Sequence, residues 1–586
     1  MDSQALQQTP GVNLDDRLRD IPGFSLFKRS SSLVANPTTQ GISLRGIGSS
    51  GASRTLVLWD GMPVNDPFGG WVYWTQFIPD EISTVEISRG AATSVFGDRA
   101  MSGAIGIFSR PAQQFHLFTG FEAGNEDSQD VWTGFSNVWS GVAVSGAVRA
   151  FQTDGYYIVP ESIRGTADTR AGVRFVTGDV HIDHYTRLGN LFVKLDMLAE
   201  ERHNGTVLTH NSTGLGMVSL RYSREFANDS FSISGFHTRE GFHSTFDSVT
   251  NSRNTDKLTY SQTVPSDALG GAFLWQHHNS RWNLLGGADV DRMGGTDTDH
   301  LVPSGLRVAG GTQLQHGVFA QTDATLGPMK VFAGLRHTFA GGDNRFLSPN
   351  AGVVVGRKRL RLRSSVYRAF RAPTLNELYR EFRVGNTDTL ANPLLRPETV
   401  FGAEVGADLV GETSSLRMTA YRNSLSNLIT NVTLSSTPTA IVRQRANAAN
   451  ALSRGFEADF NHRWHDLRAE AQYLFVDSRY VTGFRVSQIP KHQGSADLTW
   501  LHQGTLVSLG VRSFDYQFDD DLNQFRLPGY AVVNLVAKQH VWRSLSADIG
   551  LENALNRVFY TAFTPTPNTG APRLWRVGLR WDGKVH

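Results

Sequence analysis

The sequence predicts a mainly β chain: one very long antiparallel β-barrel, sized for 22 strands, behind a small N-terminal α+β domain. Three observations carry this. After residue 112 the chain alternates apolar and polar residues in stretches of roughly ten, each followed by a polar segment, to its end. Residues 41–110 hold short strand patterns separated by Gly-rich turns. No charge-free apolar run reaches the roughly 18 residues that a membrane-spanning helix needs.

In chain order, Asn13 is placed to cap a helix over Leu14–Asp20. Strand patterns follow at Ile42–Arg45, Arg54–Trp59, Thr84–Ser88 and Ala104–Phe108. A boundary near Pro111 gives two units, 1–112 and 113–586. In the second unit, Phe456–Trp464 is the clearest strand. Phe456, Ala458, Phe460, His462 and Trp464 share one face, with Glu457, Asp459, Asn461 and Arg463 on the other. Phe401–Leu409 sets Glu404 and Asp408 opposite Phe401, Val405 and Leu409, and Trp575–Trp581 sets Arg576 and Arg580 opposite an apolar face. Divided among 22 strands, residues 113–586 leave roughly 21 residues per strand and connection, which suits a large barrel. Outer loops are expected at Asn204–Thr213, Thr245–Ser266, Thr296–Gly311, Arg383–Pro397 and Gln517–Gln524. Trp132, Trp139, Trp275, Trp282, Trp500 and Trp542 stand where strands end, as interface girdles would require. Alternation alone leaves two readings open. The apolar faces pack on a second sheet in water, or they face lipid around a polar lumen.

Composition narrows function. The 56 Lys and Arg residues nearly balance 54 Asp and Glu, for a net charge of +2, so nothing electrostatic points to nucleic acid. There is no cysteine, hence no disulfide and no thiolate metal site. The mean hydropathy of −0.26 fits strands that are only half apolar. Gly46, Gly48 and Gly51 spell a G-x-G-x-x-G, but the strand RTLVLWDG follows where a dinucleotide loop needs a helix. His181 and His184 point to opposite faces of a strand, so metal binding there is weakly supported, and the adjacent pair His277–His278 adds nothing. Asp519–Asp521 reads as a solvated loop, with a hard cation as the alternative. No nucleophile arrangement with supporting context is present, so an enzyme is not expected. Neither is a cofactor or a resident metal.

Several motifs then converge. Leu44-Arg45-Gly46 is an LRG triplet. Asp60-Gly61-Met62-Pro63-Val64-Asn65-Asp66 follows a hydrophobic strand. Val85-Glu86-Ile87-Ser88-Arg89-Gly90-Ala91 precedes Phe96-Gly97, Ala100, Gly103 and Ile105-Gly106-Ile107. Farther on stand RAFRAPTLNELY (Arg368–Tyr379), Asn392-Pro393, Leu395-Arg396-Pro397-Glu398, and the closing LENALNRVFY (Leu551–Tyr560) with Gly570-Ala571-Pro572-Arg573. This set resembles the TonB-dependent outer-membrane receptors along nearly the whole chain. Departures are mild: Ala91 replaces a proline, Phe96 a tyrosine and Gly106 an asparagine.

The resemblance implies a 22-stranded antiparallel transmembrane β-barrel in the Gram-negative outer membrane, with residues 1–112 as a plug inside its lumen. It implies a monomer surrounded by outer-membrane lipid and driven by a TonB-type inner-membrane energy-coupling complex. Met1–Pro10 resembles neither a signal peptide nor a TonB box, so a plug trimmed at its N-terminus is expected, and the last strand aromatic is Trp581. The activity implied is energy-coupled import of a scarce ligand: a ferric siderophore or similar chelate first, cobalamin or a saccharide next. A non-transporting β-rich binding protein is the rival of a different class, and a passive porin would have no plug. Plug arginines Arg45 and Arg89 and lumen glutamates Glu404 and Glu457 are expected to form a plug–barrel charge cluster. Plug apices carrying Ser50, Phe68, Trp71, Tyr73 and Trp74 are expected to meet ligand, with about half of the aromatics exposed. Arg361, Arg363 and Arg371 are expected to attract an anionic chelate.

Overall fold

The computed structural model describes residues 1–48, 51–341, 344–384, 387–437 and 440–584. Two helices open the chain, Ser3–Gln8 and Leu14–Leu18, the second shorter than expected. Asn13 stands at its start, where its backbone N–H donates to the Asp16 carboxylate at 3.4 Å. A four-stranded sheet follows, in the order Met62–Pro63, Thr55–Trp59, Gly103–Ser109, Ile82–Arg89. Thr55–Trp59 runs parallel to Gly103–Ser109, and the other pairs are antiparallel. Only Ile42–Ser43 of the first expected strand pairs, with Ser25–Leu26. Leu14, Leu18, Val57, Trp59, Trp74, Phe77 and Ile107 form the core of this unit.

From His116 the chain winds antiparallel strands, each paired to the next, until Leu574–Lys584 pairs with His116–Gly124 and closes a 22-stranded barrel. Closure leaves no unpaired edge, as lipid requires. The four-stranded sheet sits inside.

Exposure decides between the two sheet readings. Phe401 and Val405 are each 59% exposed on the outer face, whereas the side chain of Glu404 between them is 16% exposed. Phe456 and Phe460 are 38% and 41% exposed while Glu457 is 3% exposed. A soluble protein buries its apolar face and shows its charges. Here the order is reversed around the whole ring, which fits lipid outside and a polar lumen inside.

Many of the strands are longer than the expected ten residues. Thr255–His278 and Ile441–Trp464 each run for 24 residues. Most of the expected loop Thr245–Ser266 is therefore strand, with its turn at 251–254. Paired strands gain backbone hydrogen bonds in water as well as in lipid, so a ribbon continues past the membrane wherever its partner does. Trp139, Trp282, Trp500 and Trp542 are exposed beside the short turns at one end of the barrel, as one girdle would require. Trp132 departs from that expectation: it points inward, beneath the Arg580 guanidinium at 4.8 Å.

Candidate functional site

The opposite end of the barrel, where the longer connections lie, holds a cavity of about 730 Å³. Its floor is the inner unit, through Val34–Thr39 and the residues flanking the sharp turn after Arg45. The Asn36 side chain accepts the Thr38 N–H at 3.0 Å, which stiffens that floor. Its walls come from barrel strands and from Arg380–Arg383.

Cations dominate one wall. Arg54 and Arg253 are committed, Arg54 to Glu398 and Arg253 to Asp168. Arg380 donates to Gln262 Oε1 at 2.8 Å and Asn376 Oδ1 at 3.4 Å. Arg445 donates to the carbonyls of Asn376 and Arg380 at 2.8 and 2.7 Å. Arg443 Nε has no hydrogen-bond partner. Among the described residues, none of Arg380, Arg443 and Arg445 has a carboxylate at ion-pair distance. Phe382 lies between the Arg380 and Arg445 guanidinium groups, at 5.3 and 5.2 Å. Two of the acids that line the cavity are occupied. Asp519 accepts the N–H groups of Phe563 and Thr564 at 2.9 and 2.6 Å, and Asp520 those of Gln524 and Phe525 at 3.1 and 2.8 Å. They staple a loop, which accounts for two of the three acids in the run; Asp521 also lines the cavity, within the field of Arg443.

Beneath the floor, charges join the inner unit to the barrel wall. Arg45 donates to Glu457 through Nε and Nη2 at 3.1 and 3.0 Å, and through Nη1 to Glu404. Its face covers the Tyr421 ring at 5.1 Å. Arg45 and Gly46 both adopt left-handed backbone, with φ of 54° and 61°. For Arg45 that conformation is strained, and the two glutamates hold it there. A Cβ on Gly46 would lie 2.6 Å from Val476 Cγ1 on the barrel. Arg89 lies 3.7 Å from Glu457, but its closer partner is Asp459 at 3.1 Å. Sequence reasoning placed Asp459 on the polar face and passed over it as a partner.

A second ionic cluster was missed altogether. Arg54 and Arg371 share Glu398, at 2.5 and 2.6 Å, and Arg371 makes a two-pronged contact with Glu377 at 2.9 Å. Thr374 and Glu377 form a capping box on the helix Leu375–Tyr379, so Glu377 both starts that helix and grips Arg371. The spacing T-x-x-E in RAFRAPTLNELY was the available signal.

Other expected site residues stand elsewhere. Ser50 lies outside the described residues. Phe68, Trp71, Tyr73 and Trp74 are 0–2% exposed, and none lines the cavity. Phe68, Trp71 and Tyr73 fill the seam between the inner unit and the barrel, and Trp74 belongs to the core of the inner unit. Trp71 meets Phe242 at 6.4 Å, Tyr73 donates to Glu240 at 2.5 Å, and Trp74 packs edge-on to Phe24. Aromatics of this size gain more from that dry seam than from a wet apex. Arg371 is fully buried between two glutamates. Arg361 and Arg363 lie beside the short turn at 358–359, at the end away from the cavity. None of the three is available to an incoming anion at the cavity.

Glu81, Asp179 and His181 bring three potential metal-ligand atoms within 4.8 Å of one another. His184 lies on the exposed side of the strand.

Comparisons with known proteins agree with this architecture. Residues 1–104 match the TonB-dependent receptor plug domain, and residues 147–554 match the TonB-dependent receptor-like β-barrel. A ferric enterobactin receptor of Pseudomonas aeruginosa, PirA, is 24% identical over 593 residues, covering 85% of this chain and 78% of its own. The vitamin B12 transporter BtuB of Vibrio vulnificus is 22% identical over 441 residues, covering 71% of this chain; the match spans 64% of BtuB's own length. Among solved structures, the siderophore receptor PirA of Acinetobacter baumannii superposes with a TM-score of 0.80 at 15% identity, over 100% of this chain and 98% of that one. The barrel match alone takes in more than half of the sequence, and the chain belongs to the TonB-dependent receptor family of the outer membrane.

Proposed function

We propose that this receptor imports an anionic metal chelate, a ferric siderophore in the first instance, by energy-coupled transport. The observation that carries the reading is the cavity wall of Arg380, Arg443 and Arg445, three guanidinium groups without ion-pair partners among the described residues, with Arg443 half-buried and Arg380 and Arg445 2% and 6% exposed. In a partly enclosed space such cations raise the local concentration of an anion and pair with its oxygens. Phe382 between two of them holds their guanidinium groups in place through cation–π contact. The relatives named for ferric enterobactin support the same class. Cobalamin is the second reading, supported by the BtuB relative, and a saccharide is the third.

In this reading residues 1–112 are the plug and 113–586 the barrel. Ligand is held above the plug, and an inner-membrane TonB-type complex supplies the work that displaces it. Arg45, Arg89, Glu404 and Glu457, with Asp459, are the charge cluster that returns the plug to one position. The receptor acts as a monomer in lipid and performs no covalent chemistry.

The test is tryptophan fluorescence of the protein in detergent, titrated with a ferric catecholate and, separately, with cyanocobalamin. Heat-modifiable gel mobility verifies the fold. Saturable quenching by the ferric chelate, weakened at high salt, supports the proposal. Quenching by cobalamin alone overturns the chelate assignment and leaves the cavity as the site.

A further inference from the structure

A buried group at the plug–barrel seam, remote from the cavity, has no role in ligand capture. Glu81 ends the turn Pro79–Glu81 ahead of the plug strand Ile82–Arg89. It faces Asp179 and His181, two residues apart and on the same face of Asp168–Thr186. Their side chains are 1%, 0% and 4% exposed. His181 Nδ1 lies 3.9 Å from Glu81 Oε1 and 3.7 Å from Asp179 Oδ2. Both separations are too long for a hydrogen bond. They sit just outside the roughly 3.4 Å edge of a tetrahedral shell whose ligands stand about 2.1 Å from a cation.

With both carboxyls ionised, five atoms here have no hydrogen-bond partner: both Glu81 oxygens, both Asp179 oxygens and His181 Nδ1; a proton on Glu81 directed at Asp179 is the alternative that a bound cation has to displace. A buried carboxylate in that condition is strongly destabilising unless something positive compensates it. The nearest ammonium is already used. Lys194 Nζ donates to Asp60 at 2.8 Å and to Ser109 at 3.2 Å, lies 3.4 Å from Asp196, and covers the Trp59 ring at 3.3 Å. Asp60, Glu81, Asp179 and Asp196 thus share one lysine. No Lys or Arg stands at ion-pair distance from Glu81 or Asp179 among the described residues.

We propose that Glu81, Asp179 and His181 bind one divalent transition-metal cation of the Zn²⁺ or Mn²⁺ class. Two carboxylates balance its charge. The imidazole disfavours Mg²⁺ and Ca²⁺, and the absence of thiolate disfavours soft Cu⁺. One ligand comes from the plug and two from the barrel, so the ion fastens two parts that must separate during transport. It differs from the cargo in place, because none of the three residues lines the cavity.

Co²⁺ serves as the probe, because its visible bands report coordination. The full chain in detergent, stripped with a chelator and checked for heat-modifiable mobility, is titrated with CoCl₂ and then with ZnCl₂. The expected result is one equivalent of cobalt, displaced by zinc, with affinity at least 100-fold weaker in Glu81→Gln and in His181→Gln. The exposed-loop variant Glu412→Gln should titrate like the parent. Zinc should also raise the urea midpoint of the plug in the parent and leave it unchanged in His181→Gln. Folded parent protein that takes up no cobalt would mean that a proton shared by Glu81 and Asp179 supplies the missing charge, and the proposal falls. Uptake that survives both substitutions overturns it equally.

Discussion

Replacing Arg45 by methionine tests what fixes the plug. Methionine keeps the Cβ and much of the length, so the left-handed backbone strain at φ 54° stays while the charge goes. The substitution leaves Glu457, 3% exposed, without its two-pronged partner, and Glu404 with only the Ser365 hydroxyl at 2.9 Å. Removing one side of a buried ion pair costs about 3–5 kcal/mol. Arg89 remains 3.7 Å from Glu457 and softens the loss, which places the expected value near about 3 kcal/mol. The plug's buried tryptophans Trp59, Trp71 and Trp74 report its unfolding in urea, while barrel closure is followed separately by gel mobility. Arg45→Met should lower the plug transition by that amount and leave the barrel intact. Arg45→Met/Glu457→Gln should regain most of the loss, because no uncompensated charge then stays at Glu457. A loss under about 1 kcal/mol, the range of an exposed ion pair, would refute the reasoning. So would a double variant no better than the single one.

Three further outcomes follow from the same geometry. Gly46→Ala should prevent the plug from seating, seen as protease sensitivity of residues 1–112, because its Cβ would meet Val476 Cγ1 at 2.6 Å at a φ of 61°. Arg443→Ala should weaken ferric-chelate binding about tenfold, or about 1.4 kcal/mol, and flatten its salt dependence, read by fluorescence titration. Burial, and then the neighbouring Asp16 charge, push the Asp15 carboxyl up to about 6 from its ordinary 3.8. Its protonated form is therefore favoured in the folded plug. This group's contribution is fully present below about pH 4 and is lost as pH rises to about 6, a change on the order of 3 kcal/mol. Asp15→Asn should abolish that part of the pH dependence of the urea midpoint.

The barrel was legible because its chemistry repeats. Each strand carries Phe401/Glu404 or Phe456/Glu457 alternation, and one pattern read many times fixes which face is which. The Arg45–Glu404–Glu457 contact was legible through the family resemblance, which singled out these residues, while alternation independently set both glutamates on the polar face. Resemblance pointed to Arg89 and Glu457, but not to Asp459, since several acids share that face and only the docked geometry selects one. The aromatics of residues 68–74 were misread because exposure is a property of the assembled seam. Nothing local distinguishes a Trp that meets solvent from one that meets Phe242. The Glu81 group joins residues about a hundred positions apart, and no spacing rule reaches that far.

These contacts also bear on how a plug can be both firm and movable. An apolar seam alone would hold the plug in many nearly equivalent positions, since apolar burial is not directional. Arg45 with Glu457 and Glu404, and Arg54 with Glu398, add direction, each demanding one orientation at hydrogen-bond distance. Arg149 is a barrel residue that donates to the Val12 carbonyl of the plug at 3.0 Å. Buried pairs of this kind contribute little net stability, because desolvation offsets most of their attraction, but losing one partner is severe. In the proposed transport, a pulling force that admits water would hydrate both ions of a pair together, and the offset would return. On that proposal the seam opens at a modest free-energy difference and closes to one register. A seam in which Arg45, Glu404 and Glu457 were all replaced by leucine-sized apolar residues should bind ligand normally yet lose the unique resting position, visible as several plug cleavage patterns in place of one. A single parent-like pattern from that variant would assign the register to the apolar seam instead.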